Sequence, residues 1–354
     1  MSKIQNLQRM AVFHSLSSPT GLKDCLKRAA FVQADPIKAP AAAQDLILRH
    51  RVESYQVGDL ERLYPSLDIE EDFLYAYGFL SRDVWALMHP RNRKGLSKLE
   101  KNVLAAVRES GQIHPRELEA KFGAERVVNA WGGYSKATKK ALEDLHYRGL
   151  LRIARREKGI RVYELANESA FEQIQKAEKA QKLVMVLTKI FQPVPFKSLK
   201  ETLARVRQSL AEPCNTDLAI AELLRTGELH QEIIDGVNYI WCSDLSGAEP
   251  ESPRSVRFLA PFDPVVWDRR RFEHLWQWAY RFEAYTPVAK RERGYYALPL
   301  LWGDAVIGWV NASVAGGRLI AEPGFVGKRP REAAFRAAWD LEHARFESFL
   351  KLTK

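Results

Sequence analysis

The 354-residue chain has only three cysteines, Cys25, Cys214 and Cys242. An odd number at wide spacing excludes a disulfide scaffold or a zinc finger, and it fits a reduced, cytoplasmic protein. The eight histidines are scattered, so neither a metal nor another cofactor is expected. No run of about 18 apolar residues occurs, so no transmembrane helix and no membrane partner are predicted. The segment from Met1 to Arg9 is polar and lacks the apolar stretch of a signal peptide. Also missing are a glycine-rich phosphate loop, a Gly-x-Ser-x-Gly elbow and a His-Glu-x-x-His helix. Carboxylates clustered for metal-dependent nuclease chemistry are not apparent either. No heptad pattern is visible, which makes a monomer the expectation.

The chain does have a hydrophobic content of 46% against 28% charged residues. That is enough to bury a full core, and the length predicts two to three domains. The net charge is +10, and its location is informative. Residues 91–161 hold 18 Lys+Arg and 8 Asp+Glu, which leaves 36 of each sign elsewhere. All of the excess lies in one block, as in a polyanion-binding module on a neutral scaffold. A solvated helical surface without a partner gives the same count.

Three stretches share an order of helix, turn, short helix, turn, longer helix and two strands. In the clearest, Ser97 caps a helix to about Glu109 that Gly111 ends. Pro115 opens a short helix to Lys121. Ser135 is read as the cap of a third helix, and Leu151–Ala154 and Ile160–Leu165 alternate like paired strands. This is the order of a winged helix-turn-helix. A second copy spans about 172–242, with Asn215 or Thr216 as a cap and Asp235-Gly236 as the hairpin turn. A weaker copy opens the chain, with helices near Ile4–His14, Thr20–Ala30 and Ala41–Ser54. After Ser246–Pro250 the composition shifts to aromatics, Val, Gly and Pro. Candidate strands there are Val256–Leu259, Trp278–Tyr285, Tyr295–Trp302, Ala305–Asn311 and Arg318–Glu322, with helices near Asp268–Leu275 and Arg331–Leu350. The expected fold is α+β: three tandem winged helices over 1–90, 91–168 and 169–247, then a small C-terminal β domain, a partial barrel, with a terminal helix over 248–354.

The third helix of the basic module carries Lys136, Lys139 and Lys140, where a winged helix meets DNA. Its hairpin carries Arg155, Arg156 and Lys158. A further basic loop, Thr286–Gly294, brings Lys290, Arg291 and Arg293 for phosphate contact. A plain solvated loop fits the same residues. The tyrosines and tryptophans of the flanking strands are read as core. Arg269-Arg270-Arg271 fits either a phosphate contact or an interdomain ion pair. Near the N-terminus, Phe31–Ile37 reads as an extended segment, and Pro36 biases Asp35 to an extended backbone. Residues two apart then share a face, so Gln33 and Asp35 project together. An ordinary Asp-Pro turn with a polar neighbour gives the same local pattern.

Gln33-Ala34-Asp35 resembles the Gln-apolar-Asp active-site motif of the winged-helix DNA glycosylases of the AlkZ and YcaQ (AlkX) group, which unhook interstrand crosslinks. A longer C-terminal match covers Pro261-Phe262-Asp263, Trp267-Asp268-Arg269, Tyr280-Arg281, Glu283-Ala284-Tyr285, Pro287, Lys290-Arg291, Gly294-Tyr295-Tyr296, Leu298-Pro299 and Gly303-Asp304. With the repeats, the resemblance spans nearly the whole chain. It departs from the group at Pro36-Ile37-Lys38 in place of Ser-Ile-Asn, at Ala42-Ala43-Gln44 in place of Arg-Ala-His, and at Tyr77 in place of a histidine.

The resemblance implies a DNA-repair glycosylase with Gln33 and Asp35 as its catalytic residues. Its partner would be double-stranded DNA carrying alkylated or crosslinked purines. An N7-alkylated purine is already cationic and leaves without a general acid, unlike the leaving group of common glycoside hydrolases. One carboxylate can then oppose oxocarbenium charge and take a proton from water, with the glutamine amide holding that water. No lysine nucleophile is required, so monofunctional hydrolysis to an abasic site is expected, in a cytoplasmic, nucleoid-associated protein. A non-catalytic winged-helix regulator or DNA-structure binder is the competing expectation, and it has no need of the Gln33/Asp35 pair.

Overall fold

The computed structural model describes residues 2–16, 19–91, 95–123, 125–128, 134–167, 174–245 and 254–352. The composition shift at 246–250 lies outside them.

In the central module the sequence signals for helix ends are realised in detail. Ser97 and Glu100 form a reciprocal capping box at the start of Lys98–Ser110, with bonds of 3.1 and 2.6 Å, and Gly111 ends the helix at φ 73°. Pro115 occupies the first turn of Pro115–Phe122. The third helix, Ala137–Tyr147, is not capped by Ser135. That residue sits in a two-stranded ribbon, Arg126–Val128 with Tyr134–Lys136, and Lys136 takes the cap position without a side-chain bond. The ribbon's backbone pairing holds Ser135, so its hydroxyl is not the helix cap.

Strands Gln112–Ile113, Leu151–Glu157 and Ile160–Leu165 close this module, with the last strand central. The following module repeats the plan with helices Lys176–Phe191, Phe196–Gln208 and Thr216–Arg225. Asn215 caps the third of these, accepting from the Leu218 amide at 3.0 Å. Its hairpin, Leu229–Ile234 and Val237–Cys242, turns through Asp235 and Gly236, both at positive φ. In the first module Leu22–Ala29, Phe31–Gln33 and Ala43–Leu48 lead to the hairpin Ile69–Phe73 and Tyr77–Ser81. All three sheets place the last strand between the other two.

The N-terminal helix, Lys3–Leu16, does not belong to the first module's core. Its Leu7, Met10 and Ala11 are buried with Val265, Phe272, Leu275 and Trp276 of the C-terminal domain. That domain is an antiparallel sheet of Val256–Phe258, Leu298–Trp302, Ala305–Ala315 and Arg318–Phe325, curled into a half-barrel and followed by the helix Ala333–Phe349. Trp278–Tyr285, expected as a strand, is irregular. Its alternating rings pack on the helix Arg269–Trp276 instead, with Phe272 4.9 Å from Trp278 and 5.7 Å from Tyr280. Their polar tips bond sheet carbonyls: Trp278 Nε1 donates to Val306 at 2.9 Å and Tyr280 OH to Ala297 at 2.7 Å. Aromatic alternation here records ring burial, not a ladder.

The modules interlock. The strand Ile69–Phe73 carries three consecutive acids, Glu70, Glu71 and Asp72, all buried. Arg152 reaches Glu70 at 2.9 and 3.0 Å, Arg156 and Arg161 reach Glu71 at 3.0 and 3.2 Å, and Arg91 reaches Asp72 at 2.9 Å. Burial works against all three charges. It pushes Glu70 up to about 7. For Glu71 it is outweighed by Arg161 and Arg156, and for Asp72 by the bond from His89 and the charge of Arg91, so both fall below the ordinary carboxylate range. Part of the basic segment's charge therefore answers buried acids of the first module.

Candidate functional site

Phe31–Gln33 pairs antiparallel with Tyr77–Ser81, with Gln33 opposite Gly78, and the Ala34 amide extends the ladder to the Tyr77 carbonyl at 3.0 Å. Phe31 and Val32 are buried and anchor the strand, while Gln33 and Asp35 are half-buried at its exit. Gly78 is required for this approach. A Cβ there would lie 2.3 Å from the Val32 carbonyl oxygen and 2.6 Å from the Phe31 ring.

Asp35 Oδ1 accepts the Ile37 amide at 2.9 Å, which closes a local turn across Pro36. The Asp-Pro turn is therefore present, and the Asp35 side chain is half-buried beside it. Burial pushes the Asp35 carboxyl above the ordinary aspartate value, and the Ile37 bond only partly offsets this. The Gln33 Oε1 is buried and has no hydrogen-bond partner among the described residues. Tyr296, from the C-terminal domain, is 4% exposed and its hydroxyl is likewise unpartnered. Burial first, and then the charge of Asp35, hold the Tyr296 proton far above the usual phenol range. The first module and the C-terminal domain come together just past Asp35, where Lys38–Pro40 and Gly294–Tyr296 line one concavity of 590 Å³. Asn311–Val314 and Glu322 also wall it. Neither it nor a larger one of 810 Å³, between residues 49–56 and the terminal helix, has Gln33 or Asp35 on its wall.

The positions that depart from the resemblance are occupied in different ways. Tyr77 donates to Glu71 at 2.7 Å and lies under Arg161, whose guanidinium carbon is 4.6 Å from the ring centre. It belongs to the intermodule acid–arginine cluster. Gln44 is buried with its Oε1 unpartnered.

The expected DNA-facing cations separate into two groups. Lys139 and Lys140 stay on the exposed side of their helix in i,i+4 pairs with Glu143 and Asp144, and Lys136 pairs with Glu119. Such pairs exchange readily for a phosphate, being worth less than about 1 kcal/mol. Lys158 is exposed at the hairpin turn. Arg155 bonds Gln112 and Glu157. Arg156 is taken up by buried Glu71 and the Gly159 carbonyl. In the C-terminal loop Lys290 is exposed, and Arg291 donates to the Thr286 carbonyl at 2.8 Å. Arg293 is enclosed, its guanidinium carbon 5.5 and 5.6 Å from the ring centres of Trp278 and Trp309. Of the arginine triplet, Arg270 makes an intermodule ion pair with Glu201 at 2.7 Å. Arg271 is buried among backbone carbonyls, including Pro193 and Val265, and Arg269 donates to those of Val266 and Pro261.

Two features were not legible as site components. Tyr296 stood in the sequence as one more core aromatic, and only its Gly-Tyr-Tyr context marked it. Tyr285 and Tyr295, read as core, are 78% and 45% exposed. The segment that bears Tyr285 is a loop, not a strand, so no sheet face buries its ring.

A family model described as DNA glycosylase AlkZ-like matches residues 26–349. Among solved structures, the chain is similar to the Streptomyces sahachiroi DNA glycosylase AlkZ. The TM-score is 0.63 at 14% identity, covering 99% of this chain and 96% of that one.

Proposed function

Because the chain belongs to the AlkZ-like DNA glycosylase family, we propose that it hydrolyses the N-glycosidic bond of alkylated purines in duplex DNA. Bulky and interstrand-crosslinked N7-alkylguanines fall within the proposed substrate class. The observation that carries this reading is Asp35. It is a half-buried carboxylate whose only hydrogen bond among the described residues is local, on the strand exit that also bears Gln33.

The leaving base brings its own positive charge, so departure needs no protonation by the protein. Asp35 opposes the positive charge that develops on the sugar, and its partial burial strengthens that interaction. As water attacks the anomeric carbon, Asp35 accepts the proton. Gln33 holds the water through its amide. The product is an abasic site, released without strand cleavage because the mechanism forms no covalent enzyme–sugar bond. A site open to solvent suits a base too bulky for a closed pocket. Lys136, Lys139, Lys140, Lys158, Lys290 and Arg291 are proposed to bind backbone phosphates.

An oligonucleotide duplex carrying N7-methylguanine, or a nitrogen-mustard crosslink, tests the proposal. Strand breaks that appear only after alkali are the expected result. Breaks without alkali would contradict monofunctional hydrolysis. Tight binding with no abasic product on either duplex would instead fit a non-catalytic DNA-structure binder.

A further inference from the structure

The loop between Glu283 and Tyr295 is built as a rigid presenter. The Glu283 carboxylate is buried and accepts three consecutive backbone amides, from Glu292 at 3.2 Å, Arg293 at 2.9 Å and Gly294 at 3.1 Å. Thr286 donates back to the Glu283 carbonyl at 2.9 Å, and a short turn at Val288–Lys290 closes the tip. Gly294, at φ 128°, lies so close to Asn311 that a Cβ would sit 2.3 Å from its side-chain oxygen. Asn311 in turn donates to the Arg293 carbonyl at 2.8 Å. The Glu292–Gly294 backbone amides are thus satisfied by Glu283, and three large apolar side chains of the loop are left outside. Tyr285 is 78% exposed, Val288 76% and Tyr295 45%. Lys290 and Arg291 flank them, and the Arg291 guanidinium carbon lies 5.1 Å from the Tyr295 ring centre.

Single exposed apolar residues are ordinary. Three of them with two cations on one tied loop match the composition of a stacking platform for nucleic acid, in which the rings take base faces and the cations take phosphates. The position is specific. Tyr285 is 6.1 Å from Phe282, which is 5.2 Å from Tyr296, a wall residue of the concavity that Lys38–Pro40 also line. Tyr285 is therefore at most about three base steps of ~3.4 Å from that tyrosine.

We propose that Tyr285 stacks on a nucleobase bordering the lesion and so selects DNA whose stack is already broken there. This rests on the reading that Asp35 is the reacting centre, but its test does not use catalysis. Kd is measured for an intact duplex and for the same duplex with a tetrahydrofuran abasic analogue. The proteins are the wild type, Tyr285→Ala, Tyr285→Phe and Lys290→Ala. Tyr285→Ala should weaken binding to the abasic duplex about tenfold, leaving the intact duplex nearly unchanged. Tyr285→Phe should bind like the wild type, and Lys290→Ala should weaken both duplexes alike. Because Tyr285 is exposed, thermal melting of the alanine variant should match the wild type. An unchanged preference ratio in Tyr285→Ala overturns the proposal, and so does equal weakening on both duplexes. Preference that depends on Tyr285 in a protein without glycosylase activity would retain the platform and reject the chemistry.

Discussion

Arg156 Nε donates to the Glu71 carboxylate at 3.0 Å across 85 residues of sequence, tying the hairpin of the second module to a strand of the first. Glu71 also receives Arg161 and Tyr77, so one buried acid holds three donors. Replacing it with alanine strands two guanidinium groups at the interface. Glu71→Ala should lose about 3 kcal/mol, the low end for breaking a buried pair, since both arginines keep some contact with water. Chemical denaturation checks this value, and a loss below about 1 kcal/mol would mean that the pair acts like a surface ion pair.

The same cluster divides the basic residues by role. Each phosphate contact contributes about −0.9 to the slope of log K against log salt. Lys290→Ala, or Lys139→Ala, should reduce that slope by about one and leave stability unchanged. Arg156→Ala should reduce stability and leave the slope nearly unchanged. Salt titrations of duplex affinity, paired with melting curves, separate the two classes.

Asp35 is held above its ordinary pKa mainly by burial. The proposed role needs the carboxylate, so excision should fall as pH is lowered, with a midpoint above the unperturbed value of about 3.9. Stability responds in the opposite sense. A raised folded-state pKa contributes stability below the unfolded value, and this is lost as pH rises through the folded one. Asp35→Asn keeps an oxygen for the Ile37 amide and removes the charge. It should therefore melt slightly higher than wild type at pH 7, and the gain should vanish below about pH 4. Melting curves across that range provide the check.

Gly78→Ala places a methyl group against the strand that carries Gln33. Overpacking of this kind costs about 1–3 kcal/mol. Excision should fall along with stability, because the displaced strand is the one that positions the motif. Normal stability and normal excision would show that the strand moves without consequence.

The helix boundaries of the central module were legible because Ser97, Gly111 and Pro115 act locally, through caps and fixed dihedrals. The Gln33/Asp35 segment was legible for a similar reason, since Pro36 constrains its neighbour. What sequence did not reveal depended on distant partners. Glu70-Glu71-Asp72 looks like a solvated run until the arginines of another module are placed against it. The N-terminal helix carries an apolar face that fits either its own module or the C-terminal domain, and only packing decides. Trp278 and Tyr280 alternate as a strand would, yet their rings bury against Phe272 and their polar tips bond to the sheet. Tyr285 falls one residue out of phase with them and is exposed.

The central claim is that Asp35 performs chemistry and does not merely close a turn. Single-turnover excision of N7-methylguanine from a duplex, with enzyme in excess and binding measured in parallel, compares wild type with Asp35→Asn. The account predicts unchanged duplex affinity and a rate at least about 100-fold lower, the scale of a lost general base. An Asp35→Asn variant that binds and excises at the wild-type rate would contradict it.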